Sequence, residues 1–242
     1  MKNKKWIALA AAVVLAVTAL PMGVFAAKKD STEEKLTKVT LNEVAHSIFY
    51  APQYVAIEEG YFAEKGLDLT LVTGFGADKT MTAVISGEAD IGFMGAEASV
   101  YAYQEGATDP VVNFAQLTQR AGNFLVAREE MPDFKWEDLK GEKVLGGRKG
   151  GMPEMVFEYI LKKNGIDPQK DLTIDQSIDF GSTAAAFTSD DSAAYTVEFE
   201  PSATILEKEG AGYVVASLGE ASGYVPYTCL LYTSPSPRDR QK

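Results

Sequence analysis

The chain has 242 residues and a formal net charge of −11, with 34 acidic side chains against 23 basic ones. That balance argues against nucleic acid as a partner, because phosphates call for a basic face. One cysteine, Cys229, and one histidine, His46, exclude an intrachain disulfide and a paired-cysteine metal site, and leave little material for a His-rich zinc site or a Ser-His catalytic pair.

The first 26 residues read as an export signal. Lys2, Lys4 and Lys5 form a basic start, Trp6 to Leu20 an apolar run, and Val24-Phe25-Ala26 a small-residue cleavage site. The apolar run is short for a membrane anchor, which needs about 20 apolar residues. After removal of the signal the chain would begin at Ala27 with a charge of −14. Residues 27–37 are charged and lack aromatics, which suits a flexible tether.

Lobe one is expected over residues 38–122. Lys38 to Val44 alternates as a strand, and the loop Ala45 to Tyr50 leads to Pro52, suited to the first turn of a helix that stops at Gly60. Leu67 to Val72 is a second strand, followed by Gly74-Phe75-Gly76-Ala77-Asp78 and a helix over Thr80 to Ser86. Asp90 to Phe93 and Val111 to Leu117 are further strands. Lobe two is expected over 123–218. It opens with the crossing strand Asn123 to Arg128, continues through Val144-Leu145 and the loop Gly146 to Gly151, and has a helix over Pro153 to Lys163. Leu172 to Asp175, Tyr195 to Val197 and Tyr213 to Leu218 complete its strands. Residues 219–229 return to lobe one. Strands alternating with helices indicate parallel βαβ units.

One pattern occurs twice. Ser86 to Ser99 reads as helix end, tight turn, short buried strand and a loop whose carboxylate opens a new helix; Thr188 to Ala203 repeats that order. A unit used once in each half predicts two similar α/β lobes. Ligands of such sheets bind beyond the carboxyl ends of the strands, so facing lobes make a clamp. Residues 230–242 lack periodicity, carry two prolines and end basic. They resemble translated adapter sequence and are read as a non-native tail on a coding sequence that stops near Thr228.

Phe49 to Leu69, with its run Tyr50-Ala51-Pro52-Gln53-Tyr54, is similar to the opening of the solute-binding proteins of ABC importers. The branch in question handles sulfonates, nitrate and pyrimidine precursors of thiamine. Ser86 to Gly92 resembles its lobe-one signature; Asp138 to Val144 and Asn164 to Pro168 resemble its lobe-two entry. The resemblance covers roughly Lys38 to Thr228. It implies a type 2 periplasmic-binding fold, each lobe a mostly parallel sheet flanked by helices, with lobe one incomplete at its C-terminal side. It also implies a monomer that captures a small-molecule solute and docks on an ABC permease in the membrane. Members often carry a lipidated cysteine after the signal; none stands near Ala27.

The fold places several residues at the cleft. His46 can donate a hydrogen bond beside Ser47, and Tyr50 can stack on a ring or pack beneath its helix. Phe75, Gly76 and Ala77 offer backbone approach, while Asp78 is either a ligand group or, more simply, the helix N-cap. Glu97 at a helix start is either dipole-stabilised or an acceptor for an N–H donor. Lys149, Gly150 and Gly151, next to Arg148, form a glycine-rich loop that could cradle an anion. Ser182 and Thr183 offer hydroxyls at a helix start, where capping competes. Glu198 and Glu200 flank a strand end, and either could face the cleft. No catalytic residue, cofactor or metal ligand is assigned.

Three cleft carboxylates weigh against a bare anion such as nitrate and favour a heteroaromatic solute with N–H donors, such as a thiamine-precursor pyrimidine. A sulfonate or taurine receptor is the alternative, through the glycine-rich loop. A pyrimidine-synthesising enzyme on the same scaffold would want a cysteine- and histidine-rich site, which this chain lacks. A sensory domain would want a following span or signalling module.

Overall fold

The computed structural model describes residues 35–107, 111–179 and 181–233. The expected signal, all but the last few residues of the tether, and the end of the tail lie outside these. The strands are β1 Thr37–Glu43, β2 Leu67–Thr73, β3 Ile91–Met94, β4 Val111–Thr118, β5 Asn123–Ala127, β6 Lys143–Leu145, β7 Thr173–Asp175, β8 Tyr195–Phe199, β9 Tyr213–Ser217 and β10 Thr228–Thr233. The helices are α1 Ala51–Glu58, α2 Tyr61–Glu64, α3 Ala77–Ser86, α4 Glu97–Gln104, α5 Met152–Lys163, α6 Thr183–Ser189, α7 Ser202–Lys208 and α8 Leu218–Ser222. Short 3-10 turns cover Ile48–Tyr50 and Trp136–Leu139.

Two five-stranded sheets result, within one unit that begins at Leu36. The first has the order β2-β1-β3-β10-β4, with β1 parallel to β2 and β3. The second has the order β7-β6-β8-β5-β9, with β6 parallel to β7 and β8. The parallel expectation holds for these βαβ units. It does not extend to the strands that return between lobes: β10 runs antiparallel to β3 and β4, and β5 antiparallel to β8 and β9. A strand that crosses from the other lobe enters its sheet from the opposite end, so its direction is reversed. β10 also crosses the boundary drawn at residue 230. Leu230 to Thr233 pair with their neighbours, and Leu231 is fully buried. An apolar run with a free backbone edge on either side fills such a slot whatever its origin.

The longest helix shows how local signals combine. Pro153 occupies the first turn of α5, and Val156, Phe157, Ile160 and Leu161 recur on one buried face. Lys162 and Lys163 close the last turn, where cations complement the helix dipole. Gly165, at φ 73, provides the left-handed exit.

Two chain crossings join the lobes side by side. The amide of Val225 donates to the Gln119 carbonyl at 3.0 Å, and that of Tyr227 to Thr118 at 3.2 Å. Arg120 donates to the Gly219 carbonyl at 3.1 Å and lies over the Tyr224 ring. α8 belongs to this crossing: Leu218 is fully buried in the core that holds Leu125, Phe157 and Tyr227. Phe49 of lobe one packs against the same core, directly beside Gly122, where a side chain would collide with its ring.

Candidate functional site

The carboxyl ends of the parallel strands face each other across the seam between the lobes. Three chambers lie along it. The central one, about 90 Å³, is walled by Tyr50, Gly95 and Thr228 from lobe one, Arg148 to Pro153 and Phe199 from lobe two, and Tyr227 from the crossing. A second, about 560 Å³, shares Pro153 and Phe199 with it and holds His46, Tyr54, Thr183 and Glu198. A third, about 830 Å³, shares Ala77, Asp78, Lys149 and Gly150 with the central one and is bordered by Tyr101, Glu154 and Glu158.

The lobe-one wall is organised by Glu43, the last residue of β1. Its carboxylate is fully buried and accepts from Tyr54 Oη at 2.8 Å, His46 Nδ1 at 2.9 Å, Thr73 Oγ1 at 3.1 Å and Gln53 Nε2 at 3.5 Å. Donors from a loop, a helix and the neighbouring strand thus converge on one charge, which is how a buried carboxylate is tolerated. The cluster fixes His46, which stacks on Tyr54 at 4.3 Å, at the edge of the second chamber. Ser47 caps the 3-10 turn, its hydroxyl accepting from Phe49 N, and its own amide donates to Tyr54 Oη. Tyr50 is buried edge-on against Phe93 at 4.5 Å and reaches the central chamber; its hydroxyl pairs with Thr228. It therefore packs beneath the cleft while also lining the central chamber.

Glu97 opens α4 and is only 6% exposed. Neither carboxylate oxygen receives a hydrogen bond of good geometry, and no side-chain donor reaches it. Burial pushes its pKa up to about 7, and the nearby amides of Glu97, Met152 and Ala98 only partly offset this. The carboxylate folds onto Gly95, which lines the central chamber, and approaches Met152 across the seam. The hydroxyl of Tyr227, in the same wall, is also buried without a partner. Leaving such a group unsatisfied costs about 1–3 kcal/mol, more for a charge.

Asp78 is not the helix cap. Gly76 holds the N-cap position of α3, and the Asp78 carboxylate instead accepts from Arg148 Nη2 at 2.7 Å, seventy positions away in lobe two. Arg148 also lies 3.6 Å from Asp179. Gly76, Ala77, Lys149, Gly150 and Gly151 all line the central chamber. The Gly150 amide donates to Glu154, whose other oxygen accepts from Gln176 at 2.6 Å, so the loop is held from α5. Phe75 stands apart: it has φ 58, is 62% exposed and lines none of the three chambers.

In lobe two, Glu198 and Glu200 take different roles. Glu198 is buried on β8, bonded to Thr196 Oγ1 at 2.7 Å and to the Thr183 hydroxyl, and lines the second chamber. Burial raises its pKa, against the pull of those hydroxyls. Glu200 borders the same chamber, but its carboxylate caps α7 by accepting from the Thr204 amide and hydroxyl. Ser182, at the N-cap position of α6, is exposed, makes no capping bond and lines no chamber. Sequence reasoning missed Glu43, Tyr54, Phe199 and Tyr227. Glu43 alone carried a usable signal, a carboxylate at the carboxyl end of an alternating strand; the aromatics are indistinguishable from core in the sequence.

Among the described residues no group of three or more His, Cys, Asp or Glu side chains is placed to hold a metal ion, and no helix is long and apolar enough to cross a membrane. The "Putative binding protein YtlA" of Bacillus subtilis (strain 168) is 54% identical over 207 residues, covering 86% of this chain. The chain spans 62% of that relative's length. The alkanesulfonate-binding protein SsuA of Xanthomonas axonopodis pv. citri, solved with MOPS, superposes with a TM-score of 0.63 at 19% identity, over 81% of this chain and 65% of that one. The periplasmic nitrate-binding protein NrtA of Synechocystis PCC 6803 superposes with a TM-score of 0.63 at 18% identity, over 82% and 56%. These likenesses carry the two-lobe fold. The family model described as NMT1/THI5 like matches residues 48–236, most of the chain, and the chain belongs to that family.

Proposed function

We propose that the protein is an exported receptor that captures a small heteroaromatic solute with N–H donors between its lobes and delivers it to an ABC permease at the membrane. A thiamine-precursor pyrimidine is the best-fitting class. The observation that carries this reading is Glu97: a buried carboxylate folded onto Gly95, just behind the wall of an interlobe chamber that is lined by the rings of Tyr50, Phe199 and Tyr227 together with Asp78, Arg148 and Lys149. A planar ring between aromatic faces and an amino group on a carboxylate satisfy such a wall together. Export rests on the first 26 residues. Membership of a family whose solved neighbours are solute-binding proteins supports binding rather than catalysis.

A sulfonate receptor has one observation in its favour. Lys149 lines the central chamber and makes no ion pair among the described residues. Thermal melting against a panel separates the two. A ligand at 100 times its Kd stabilises by about 2.7 kcal/mol, which raises the midpoint by roughly 5–10 °C in a chain of this size. An aminopyrimidine is expected to produce that shift and taurine, alkanesulfonates and nitrate to leave the midpoint unmoved. The opposite pattern overturns the reading.

A further inference from the structure

We propose that Asp78 decides the charge class of the solute: by holding Arg148 it withdraws the cleft's guanidinium and thereby excludes sulfonates and other oxyanions. Among the described residues, Arg148 is the one arginine lining any of the three chambers. A free guanidinium beside a glycine-rich loop is the natural partner for an oxyanion, which it binds through two parallel hydrogen bonds. Here its Nη2 donates to Asp78 at 2.7 Å and its Nη1 lies 3.6 Å from Asp179, so one arm of the fork is hydrogen-bonded to a carboxylate and the other faces a second one. With Lys149 on the same loop the two carboxylates are matched by two cations, so the loop presents no net positive charge and no free guanidinium to an anion in the adjoining chamber.

The backbone is shaped for this pairing. A Cβ at Gly76 would stand 2.7 Å from Asp78 Oδ1 and 2.9 Å from Arg148 Nη1, so glycine at this position lets the ion pair close directly against the backbone ahead of α3. Gly147 and Gly150, at φ 84 and 79, turn the loop on either side of Arg148 toward lobe one. The solved neighbours named above are an alkanesulfonate-binding and a nitrate-binding protein, both receptors for anions, so discrimination against anions in this chain has to come from its side chains and not from the fold. The feature that sets the choice here is the carboxylate that occupies Arg148. The inference rests on the N–H-donor reading of the site given above.

The test is a gain of binding. Wild type, Asp78→Asn and Asp78→Asn/Arg148→Gln, each as the full chain, are titrated calorimetrically with taurine, ethanesulfonate and nitrate, and wild type also with an aminopyrimidine. Asp78 and Arg148 are partly exposed, so breaking the pair costs little stability; Asp78→Ser is the second variant if the first does not melt cooperatively. The single variant is expected to bind ethanesulfonate about tenfold or more tighter than wild type, and the double variant to lose that gain. A folded Asp78→Asn or Asp78→Ser protein with no gain, or a gain that survives loss of Arg148, overturns the inference. If wild type also binds the aminopyrimidine, that failure leaves the proposed function intact. If wild type itself binds ethanesulfonate and ignores the aminopyrimidine, both fall.

Discussion

The carboxylate of Glu97 lies folded over Gly95, two residues before it, so closely that a Cβ on residue 95 would overlap its oxygens. The turn from β3 into α4 therefore has to be glycine at that point for the carboxylate to sit against the chamber. Gly95→Ala is expected to expel Glu97 from this pose. Solute affinity is expected to fall about tenfold or more, with a stability loss of roughly 1–3 kcal/mol from overpacking. Calorimetric titration and urea unfolding of the same variant read the two effects separately.

Glu97→Gln keeps the shape and removes the charge. A hydrogen bond to a charged group contributes about 1.5–3 kcal/mol, so affinity for an amino-bearing solute is expected to drop by one to two orders of magnitude. In wild type that affinity is expected to tighten as pH rises through about 7, where Glu97 ionises. Titrations at pH 6 and pH 8 check both; a flat pH profile in wild type contradicts the role.

The solute-free protein is expected to respond to pH in the opposite sense. Glu97 and Glu154 both have folded-state pKa values raised from 4.5 to about 7, first by burial and for Glu154 then by its neighbour Glu158. Between those values the folded chain keeps protons that the unfolded chain has released, so stability falls as pH rises through that window and levels off above it. For Glu97 the shift corresponds to roughly 3 kcal/mol. Melting midpoints from pH 5 to pH 8 are expected to decline in wild type, with Glu97→Gln and Glu154→Gln each flattening part of the decline.

Glu43→Ala would leave the buried Gln53 amide and the half-buried Tyr54 and Thr73 hydroxyls without their acceptor. A loss of roughly 2–4 kcal/mol is expected by urea unfolding. Glu43→Gln, which still accepts hydrogen bonds, is expected to recover part of it. Surface control Glu59→Ala is expected to change stability by no more than about 0.5 kcal/mol.

Much of the architecture is legible in the chain itself, because its signals are local. Alternation marks Lys38 to Val44 and Leu67 to Val72 as strands, within a residue of the observed β1 and β2, Pro52 and Pro153 mark helix starts, and the repeat around Gly87 and Asp190 announces two lobes. The same locality places His46, Tyr50, Asp78, Glu97 and Glu198 near strand ends, where such folds bind ligands. What each then does depends on atoms far away in the sequence. Asp78 takes Arg148 instead of its own helix because the lobes meet there, and Glu200 caps α7 while its neighbour Glu198 turns into the chamber. Glu97 and Glu43 are both carboxylates at the cleft side of lobe one, yet four side-chain donors converge on Glu43, whereas Glu97 has only nearby backbone amides. Sequence determines which polar groups reach the seam. Only the packing of one lobe against the other decides which are satisfied there and which remain for a ligand, since satisfaction is a property of the partners rather than of the residue.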